Sequence, residues 1–263
     1  MNTVNDILEE IDQISVDEQF ESISAMVSEN ILSDKINLTF IIKEVEKFTI
    51  ERINIFGNNV TRENVIRNQL EIDEGDFFNE ILQKKSENNL KSLNFFRNVE
   101  LESKNGNLPG TKIIDINIEE KPTGEISAGA GFGTSGGTIQ AGIKENNYLG
   151  KGITLNTNLN LSENSIQGLF SVTNPNFNNS KKSLYGTLES SEVDRLTLSG
   201  YKNNKTGFVY GTDFEYLDDF FVGLGNSNYY EKIETNSNAS ATQKKQEGDY
   251  WDSFLRFNLF YDK

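Results

Sequence analysis

The spacing of apolar residues changes at Pro122. Upstream of this proline, apolar residues recur at helical spacing or fall in short alternating runs, whereas downstream they alternate with polar residues over long stretches. In residues 153–161, one face collects Ile, Leu and Thr side chains. The other face presents Thr154 and Asn156, Asn158 and Asn160. A strand with these two faces is half-solvated or separates lipid from water, so the sequence predicts a membrane barrel behind a smaller soluble module.

Turn residues divide the downstream region into short alternating segments, as expected of an all-β chain. The predicted strands lie near residues 124–133, 137–145, 152–162, 164–173, 182–191, 206–217, 220–231 and 251–262. Residues 235–249 are polar and poor in apolar side chains, so they are predicted to form a long flexible loop. Short turns at one end and a long loop at the other fit an outer-membrane barrel.

Residues 48–121 predict a complete small domain with the element order β-α-α-β-β. The first strand, 48–56, alternates with a slip at Glu51-Arg52. Thr61 and Asn79 are predicted to cap the two helices. The last two strands, at 95–102 and 112–119, form an antiparallel hairpin, and the first strand should pair in parallel with one of them after its helical crossover.

Residues 1–47 predict a helix over 3–14 and two strands, at 20–27 and 35–45, which turn at Ser33-Asp34. A helix and a hairpin bury too little surface for an independent core, so this segment is interpreted as the end of a preceding domain. The predicted organisation is therefore residues 1–47, 48–122 and 123–263.

Composition narrows the chemistry. The chain carries 40 acidic and 25 basic residues, a formal net charge of −15, which disfavours nucleic acid as a partner. It contains no cysteine and no histidine, which removes thiolate chemistry, Cys/His zinc sites, Ser-His relays and disulfides. Carboxylate-only metal sites and carboxylate-pair catalysis remain formally possible. No run approaches the length of a spanning helix, and residues 1–10 have no signal-peptide character, so the chain is expected to be cytosolic or a fragment whose export signal lies upstream.

Residues 131–136 match G-x-G-x-x-G. A dinucleotide site needs a helix directly after this turn, but residues 138–143 alternate as a strand, which disfavours nucleotide binding. The alternative is that Gly129, Gly131 and Gly133 share one face of a strand that they weaken. Such a strand is either a structural accident or a seam that opens.

Acidic residues give no candidate catalytic, cofactor or metal site. The pairs Glu9-Glu10, Glu119-Glu120 and Asp218-Asp219 place adjacent carboxylates on opposite faces of a strand, so they are predicted to be solvated surface residues. The acidic residues between 73 and 76 lack the ligand spacing of an EF-hand and predict a helix-breaking turn. The sequence therefore predicts that the chain is not an enzyme.

The strand formed by Val99, Glu100, Leu101, Glu102 and Ser103 is a candidate binding edge. If the returning strand lies in the middle of the sheet, this strand is an exposed edge and a template for strand addition by a client peptide. The alternative is an edge that its charged side chains simply protect from pairing.

Several segments resemble one known family. FTIERINIFGNNVTRENVIRNQLEIDEGDFFNE (48–80) and LKSLNFFRNVELE (90–102) resemble the last POTRA domain of the BamA family. EKPTGEISAGAGFG (120–133) resembles the passage from that domain into the first barrel strand, and NNYLGKG (146–152) resembles an early barrel turn. TNPNF (173–177) resembles a further turn, with Asn174 and Asn176 as departures. By the same resemblance, residues 1–47 are the end of the preceding POTRA domain.

The resemblance implies an α+β POTRA domain followed by an antiparallel all-β membrane barrel, with about eight of 16 strands present. It also implies insertion of β-barrel proteins into the outer membrane of a Gram-negative bacterium, with the POTRA part in the periplasm. Implied partners are unfolded outer-membrane protein clients, lipoproteins such as BamD and outer-membrane lipid. The first barrel strand would be the lateral-gate strand; its candidate residues are Gly124, Ile126, Gly129, Gly131 and Gly133.

Two alternatives stay open. One is a TamA-like or two-partner-secretion transporter of the same superfamily. The other is a passive porin or a surface β-protein, which would leave residues 48–121 without a role. The second half of the barrel and the family's V-R-G-F loop are missing from the sequence, so the chain is expected to be a truncated product or a fragment that does not close a barrel alone.

Overall fold

The chain divides into two compact units, Met1–Pro122 and Thr123–Lys263. A computed structural model describes residues 23–32, 35–44, 47–133, 136–217 and 219–261, together with Ile7 and Ile14. Both of these isoleucines are helical, and the rest of the helix predicted over residues 3–14 lies outside the described residues, as do Ser33 and Asp34.

Strands dominate both units. They are β1 (Ile23–Leu32), β2 (Lys35–Glu44), β3 (Thr49–Phe56), β4 (Phe96–Asn105), β5 (Thr111–Glu120), β6 (Gly124–Gly133), β7 (Gly136–Tyr148), β8 (Ile153–Ser162), β9 (Ser165–Asn174), β10 (Lys182–Arg195), β11 (Tyr201–Leu217), β12 (Phe220–Thr235) and β13 (Gly248–Tyr261). The α-helices are α1 (Glu63–Arg67), α2 (Glu80–Ser92), α3 (Leu196–Ser199) and α4 (Ala241–Lys245). Within the described residues, no helix combines the length and the apolar character needed to cross a membrane.

The first unit contains two sheets. Strands β1 and β2 form an antiparallel hairpin, and a second sheet has the order β3-β5-β4. In that sheet β3 runs parallel to β5, and β4 runs antiparallel to it. The predicted β-α-α-β-β order and both pairings are confirmed. The slip at Glu51 is a bulge, because the β3–β5 register shifts between Ile50 and Arg52.

Apolar residues from all five elements of this domain form one core. Ile114 and Ile116 of the central strand, Ile66 of α1 and Leu90 of α2 are fully buried within it. Each is an apolar position of the predicted helical or alternating pattern, so burial follows the period of each element. The core lies entirely within residues 50–118.

One predicted helix cap is correct and one is wrong. The Asn79 side chain accepts hydrogen bonds from the backbone N–H groups of Ile81 and Leu82, as a cap does. Thr61 is not the cap of α1; the N-cap position is Arg62, whose side chain makes no capping bond. The backbone N–H of Thr61 instead donates to Glu120 Oε1 at 2.6 Å.

Glu120 binds the loop that precedes α1. Its carboxylate accepts hydrogen bonds from the backbone N–H groups of Asn59 and Val60, both at 2.9 Å, besides that of Thr61. Burial raises the pKa of Glu120, but a hydrogen bond from the Thr61 side chain and those from the three backbone N–H groups outweigh burial and leave the pKa below its usual value. Glu120 is partly exposed, as expected of a surface carboxylate, and it also holds this loop, a contact that the sequence did not indicate. Glu9, Glu10 and Asp218 of the other acidic pairs lie outside the described residues.

The second unit is a single antiparallel sheet with the order β13-β12-β11-β10-β9-β8-β7-β6. Its strands match the predicted ones, and several extend further, such as β11, which begins at Tyr201. A register shift interrupts the β7–β8 pair between Glu145 and Tyr148. The connections alternate between the two ends of the sheet, and the longest described connection, residues 236–247, lies at the end opposite the start of β6.

That longest connection is not the featureless flexible loop that its composition predicts. It contains α4, which Ser240 and Gln243 close with reciprocal side-chain hydrogen bonds in a capping box. Asn236 also donates to the carbonyl of Leu196 at 2.8 Å, which ties the connection to α3. Local side-chain hydrogen bonds therefore order a polar segment that buries little apolar surface.

Strand register carries the two-residue alternation across the whole second sheet. Directly paired residues share a face, so β8 fixes which residues of every other strand join its isoleucines and leucines. We call this side the apolar face; on β6, β7, β9, β10, β11, β12 and β13 it includes Ile126, Phe132, Ile139, Ile143, Ile166, Phe170, Leu184, Leu188, Phe208, Phe214, Val222, Leu224, Leu255 and Leu259. The opposite side, the polar face, includes Ser127, Lys144, Asn158, Gln167, Glu189, Lys205, Asp213 and Arg256.

The apolar band runs obliquely to the strand pairs. On β6 the apolar side chains of this face run from Ile126 to Phe132, centred at Gly129, and on β13 the continuous apolar run from Leu255 to Tyr261 is centred at Asn258. Successive pairs, however, connect Gly129 to Tyr250. The centre has thus moved eight residues along the strands over seven strand steps. With a rise of ~3.3 Å per residue and a strand spacing of ~4.8 Å, the strands tilt by about 38° from the normal of the band. Transmembrane barrel strands tilt by roughly 35–45°.

Candidate functional site

Strand β6 forms one edge of the second sheet. Among the described residues it pairs only with β7, and β13 forms the opposite edge. Every residue of β6 is exposed; Ile126 retains 85% and Phe132 96% of its accessible surface. An edge strand offers a row of main-chain N–H and C=O groups that another strand can pair with.

The structure places all five predicted gate residues on this edge strand. Gly124 and Ile126 lie on the apolar face, and Gly129, Gly131 and Gly133 lie on the polar face. The G-x-G-x-x-G segment joins two strands, because β7 begins at Gly136. Its residues 134 and 135 lie outside the described residues.

The three polar-face glycines of β6 are not required by packing. A Cβ atom added at Gly129 or Gly133 would meet no atom within 4 Å, and one at Gly131 would meet only Thr138 Oγ1, at 3.2 Å. Gly129 and Gly133 have room for side chains but carry none, and Gly131 would have room once the Thr138 hydroxyl shifted by a few tenths of an ångström. From Gly129 to Gly133 the strand therefore forgoes cross-strand side-chain contacts on its polar face, which weakens this part of its pairing with β7.

Two glycines in the middle of the sheet, in contrast, are required by packing. A Cβ at Gly211 would lie 2.4 Å from the hydroxyl of Tyr185 and 2.5 Å from the carbonyl oxygen of Leu224. A Cβ at Gly225 would lie 2.8 Å from the same tyrosine hydroxyl. Tyr185 thus fills the space above two glycines, and glycine is required there by close approach.

Side-chain hydrogen bonds anchor the residue that leads into β6, whereas the glycines further along the strand have no side chains to anchor it. The hydroxyl of Thr123 donates to the carboxylate of Glu145 on β7. The carboxylate also accepts from the backbone N–H of Asn147 at 2.8 Å, and the Asn146 side chain donates to the carbonyl of Thr123 at 3.2 Å. Asn147 in turn accepts from the backbone N–H of Gly152 at 2.8 Å, within the NNYLGKG turn. These bonds and this turn therefore fix Thr123, the residue directly before the edge strand.

The three-stranded sheet of the first unit has two edges, and one is covered. The segment that follows α1 runs beside β3: Ile50 N donates to Asp76 O at 2.8 Å, and Phe78 N donates to Phe48 O at 2.7 Å. The Glu74 carboxylate accepts from the N–H of Ile53 at 3.0 Å. The acidic segment is therefore a turn, as predicted, and it also satisfies main-chain groups along the outer side of β3.

The other edge, β4, is open, and it contains the predicted residues Val99 to Ser103. Among the described residues β4 pairs only with β5. Gly106 N donates to Thr111 O at 2.8 Å just beyond the paired strands, so every second residue from Lys104 back to Glu100 bonds to β5. The N–H and C=O groups of Val99, Leu101 and Ser103 consequently point away from the sheet.

One of these outward groups is already occupied. The Gln83 side chain of α2 donates through Nε2 to the carbonyl of Leu101 at 2.9 Å. Its Oε1 atom is buried and has no hydrogen-bond partner among the described residues. A groove of about 360 Å³ lies beside it, lined by residues of α2 that include Ile81 and Lys84, by Ser103 of β4 and by Val27 of β1. Sequence reasoning missed Gln83, because a glutamine on an amphipathic helix carries no signal of where its amide reaches.

Family models match both units. Residues 48–121 match POTRA, described as a surface antigen variable number repeat, and residues 147–263 match the Omp85 superfamily domain. The outer membrane protein assembly factor BamA of Neorickettsia risticii is 25% identical over 236 residues, which is 87% of this chain and 31% of that protein. The chain thus spans about a third of the length of this curated relative.

Solved structures show the same fold. BamA from Haemophilus ducreyi lacking POTRA domains 1–3 superposes with a TM-score of 0.67 at 24% identity, over 98% of this chain and 52% of that chain. CdiB from Escherichia coli superposes with a TM-score of 0.53 at 12% identity, over all of this chain and 50% of that chain. The eight-stranded sheet is therefore part of an Omp85-type β-barrel fold, joined to a POTRA domain.

Proposed function

Because this chain joins a POTRA domain to part of an Omp85 superfamily barrel domain and resembles BamA, we propose that it assembles β-barrel proteins in the outer membrane of a Gram-negative bacterium. The observation that carries the proposal is the state of β6. It is a fully exposed edge strand in a sheet whose apolar face suits lipid and whose polar face suits water.

The proposed mechanism is main-chain pairing. An extended strand of an unfolded client adds to the free edge of β6 through N–H···O=C bonds, which do not read side chains and therefore accept many sequences. Unpaired edge groups cannot be tolerated in hydrocarbon, so a client strand that enters the bilayer gains most by pairing there. The polar-face glycines support this role, because a strand with few side-chain contacts separates easily from its neighbours.

The base of the strand has a complementary role in this proposal. Glu145 holds Thr123, directly before β6, so movement is confined to the part of the strand nearer Gly133. The strand then swings without losing its register at the base.

The POTRA domain is proposed to receive clients before they reach the barrel. Its free edge β4 accepts an extended segment as a fourth strand, whereas the edge of β3 is blocked by its own loop. We also propose, from the resemblance, that residues 48–122 lie in the periplasm and dock a lipoprotein such as BamD. In this assignment residues 1–47 end a preceding POTRA domain and residues 123–263 form the first half of the barrel.

Liposomes that contain the full chain test the proposal. An unfolded outer-membrane barrel protein is added, and its folding is followed by heat-modifiable migration on gels and by protease resistance. The proposal predicts faster folding than in empty liposomes. Equal folding rates in the two preparations would contradict it.

The likeness to CdiB supports a second candidate, a two-partner-secretion transporter of the same superfamily. A transporter passes its substrate through the barrel, so the substrate would contact polar-face residues such as Asn158 and Tyr229. An assembly factor holds its client at β6. Photo-crosslinkers at Asn158 and at Ala128, which lies on the apolar face of β6, distinguish the two, because only the assembly mechanism predicts that the client reacts mainly with the Ala128 position.

A further inference from the structure

The interaction between Gln83 and Leu101 carries an inference that rests on the proposed strand addition at β4. Gln83 donates to an edge carbonyl that points away from the sheet, at 2.9 Å. A primary amide is the nearest side-chain analogue of a backbone peptide group. Gln83 therefore sits where the N–H of an added strand would bind. We propose that Gln83 is an internal placeholder on this edge, and that an extended client segment must displace it.

Gln83 leaves one of its polar atoms without a hydrogen bond among the described residues, which makes its displacement easier. Its Oε1 atom is buried without a partner among the described residues, and a buried polar atom left unpaired is unfavourable. When a client strand takes over the Leu101 carbonyl, the Gln83 amide moves into water and both of its polar atoms become hydrated. The exchange conserves the hydrogen bond on Leu101 and removes the unpaired atom.

The surroundings define the client segment. Residues of an added strand that pair with Val99, Leu101 and Ser103 direct their side chains to the α2 side, where Ile81 lines the groove. Residues beside Glu100 and Glu102 share the opposite face. Both carboxylates are exposed and have no ion-pair partner among the described residues. The preferred segment therefore alternates apolar residues with lysine or arginine.

Backbone chemistry sets the specificity. Displacement requires the client to offer its own N–H to the Leu101 carbonyl. A proline or an N-methylated residue at that position cannot do so. Gln83 thus excludes segments that would bind the groove through apolar contacts without donating a backbone N–H to Leu101.

Photo-crosslinking of the full chain in detergent micelles tests the placeholder. Benzoylphenylalanine replaces Lys84, an exposed residue of the groove wall. The probe is a labelled eight-residue peptide that alternates valine and lysine, compared with the same peptide N-methylated at its valines. Gln83→Met keeps the size of the side chain but has no amide. Gln69→Met, on the same domain but away from β4, is the matched control.

The placeholder predicts that the unmodified peptide reacts with the wild-type chain and binds Gln83→Met roughly three- to tenfold more tightly. The Gln69→Met chain should match wild type, and the N-methylated peptide should bind neither. Equal or weaker binding to Gln83→Met would overturn the placeholder role of Gln83 but not the proposed strand addition at β4. Absence of crosslinking in every variant would also overturn the proposed strand addition at β4. Gln83→Leu repeats the test if the Met variant misfolds.

Discussion

Gly129 and Tyr250 lie on one continuous row of paired residues that crosses all eight strands of the second sheet. The apolar band leaves this row as it crosses the sheet, and on β13 it is centred eight residues further along, near Asn258. The offset measures the tilt of the strands relative to the band. A sheet in a water-soluble sandwich has no need for a band of constant height, whereas a bilayer imposes one.

The single tryptophan of the chain provides a test of this band. Trp251 is paired with Tyr230 on the apolar face, next to Ser253 and Asn228, whose side chains are hydrogen bonded at 2.9 Å. This polar group marks the margin of the band, where aromatic girdles lie. In liposomes, Trp251 fluorescence should be quenched most by lipids brominated near the headgroup.

Moving the tryptophan is the control for that measurement. The double variant Trp251→Phe with Leu255→Trp shifts the probe by four residues, or ~13 Å along β13. Quenching should then be strongest with bromines deep in the acyl chains. Identical quenching profiles for the two positions would show that the apolar face does not lie across the bilayer.

Valine at Gly129 and Gly131 should strengthen the edge strand. Replacing both glycines adds cross-strand contacts and lowers the conformational entropy of the unfolded strand. The folded strand should be stabilised by roughly 0.5–1 kcal/mol per site. Amide hydrogen exchange in β6 and β7 should slow, and client folding in liposomes should slow with it. Gly168→Val is the matched control, because Gly168 also has no atom within 4 Å of an added Cβ but lies in the middle of the sheet. Undiminished client folding in the double variant would contradict the weak-seam mechanism.

Gly211 should tolerate no such change. An added Cβ would overlap the Leu224 carbonyl oxygen and the Tyr185 hydroxyl, and backbone cannot yield as a flexible side chain does. Gly211→Ala is therefore expected to reduce the fraction of chain that refolds into detergent, whereas Gly186→Ala, which meets no atom within 4 Å, should refold as wild type. Heat-modifiable migration measures both fractions, and equal refolding would contradict the packing argument.

Glu51 makes the β4–β5 turn sensitive to acid. Hydrogen bonds from the side chains of Thr111 and Asn107 lower the pKa of Glu51 to about 2, against a usual value of 4.5. A lowered pKa in the folded state means that the carboxylate stabilises the fold fully above pH 4.5, and that this contribution is lost as the pH falls through about 2. The amide resonance of Asn107 should follow this titration in NMR spectra. In Glu51→Gln the same resonance should not titrate over that window; an unchanged titration there would contradict the assignment.

Period and turn residues predict most of the fold. The strands of the second sheet follow from alternation, and the core of the POTRA domain follows from the apolar positions of its helices and strands. The bulge at Glu51 is visible as a broken alternation. These features are local, so one sequence suffices to find them.

Contacts between distant residues were not predictable in the same way. The bonds of Glu120 to the Asn59–Thr61 loop join residues about 60 positions apart, and those of Gln83 to Leu101 join α2 to β4. The sequence likewise cannot distinguish Gly211, which glycine alone fits, from Gly129, which has room for a side chain. Local capping of α4 overrode a composition typical of a flexible loop.

The most direct test of the account asks whether a client strand pairs with β6 in register. The chain has no cysteine, so single cysteines at Ser127, Ala128, Gly129 and Ala130 report without background. Folding clients, each with one cysteine at a different position of the terminal strand, are added in turn to the full chain in liposomes, and disulfides are mapped. Templating predicts that each β6 position forms a disulfide with one client position, shifting stepwise along the strand, and that cysteines in the middle of the sheet, such as one at Gly168, form none. Disulfides spread evenly over β6 and the middle strands, or absent from β6, would contradict it.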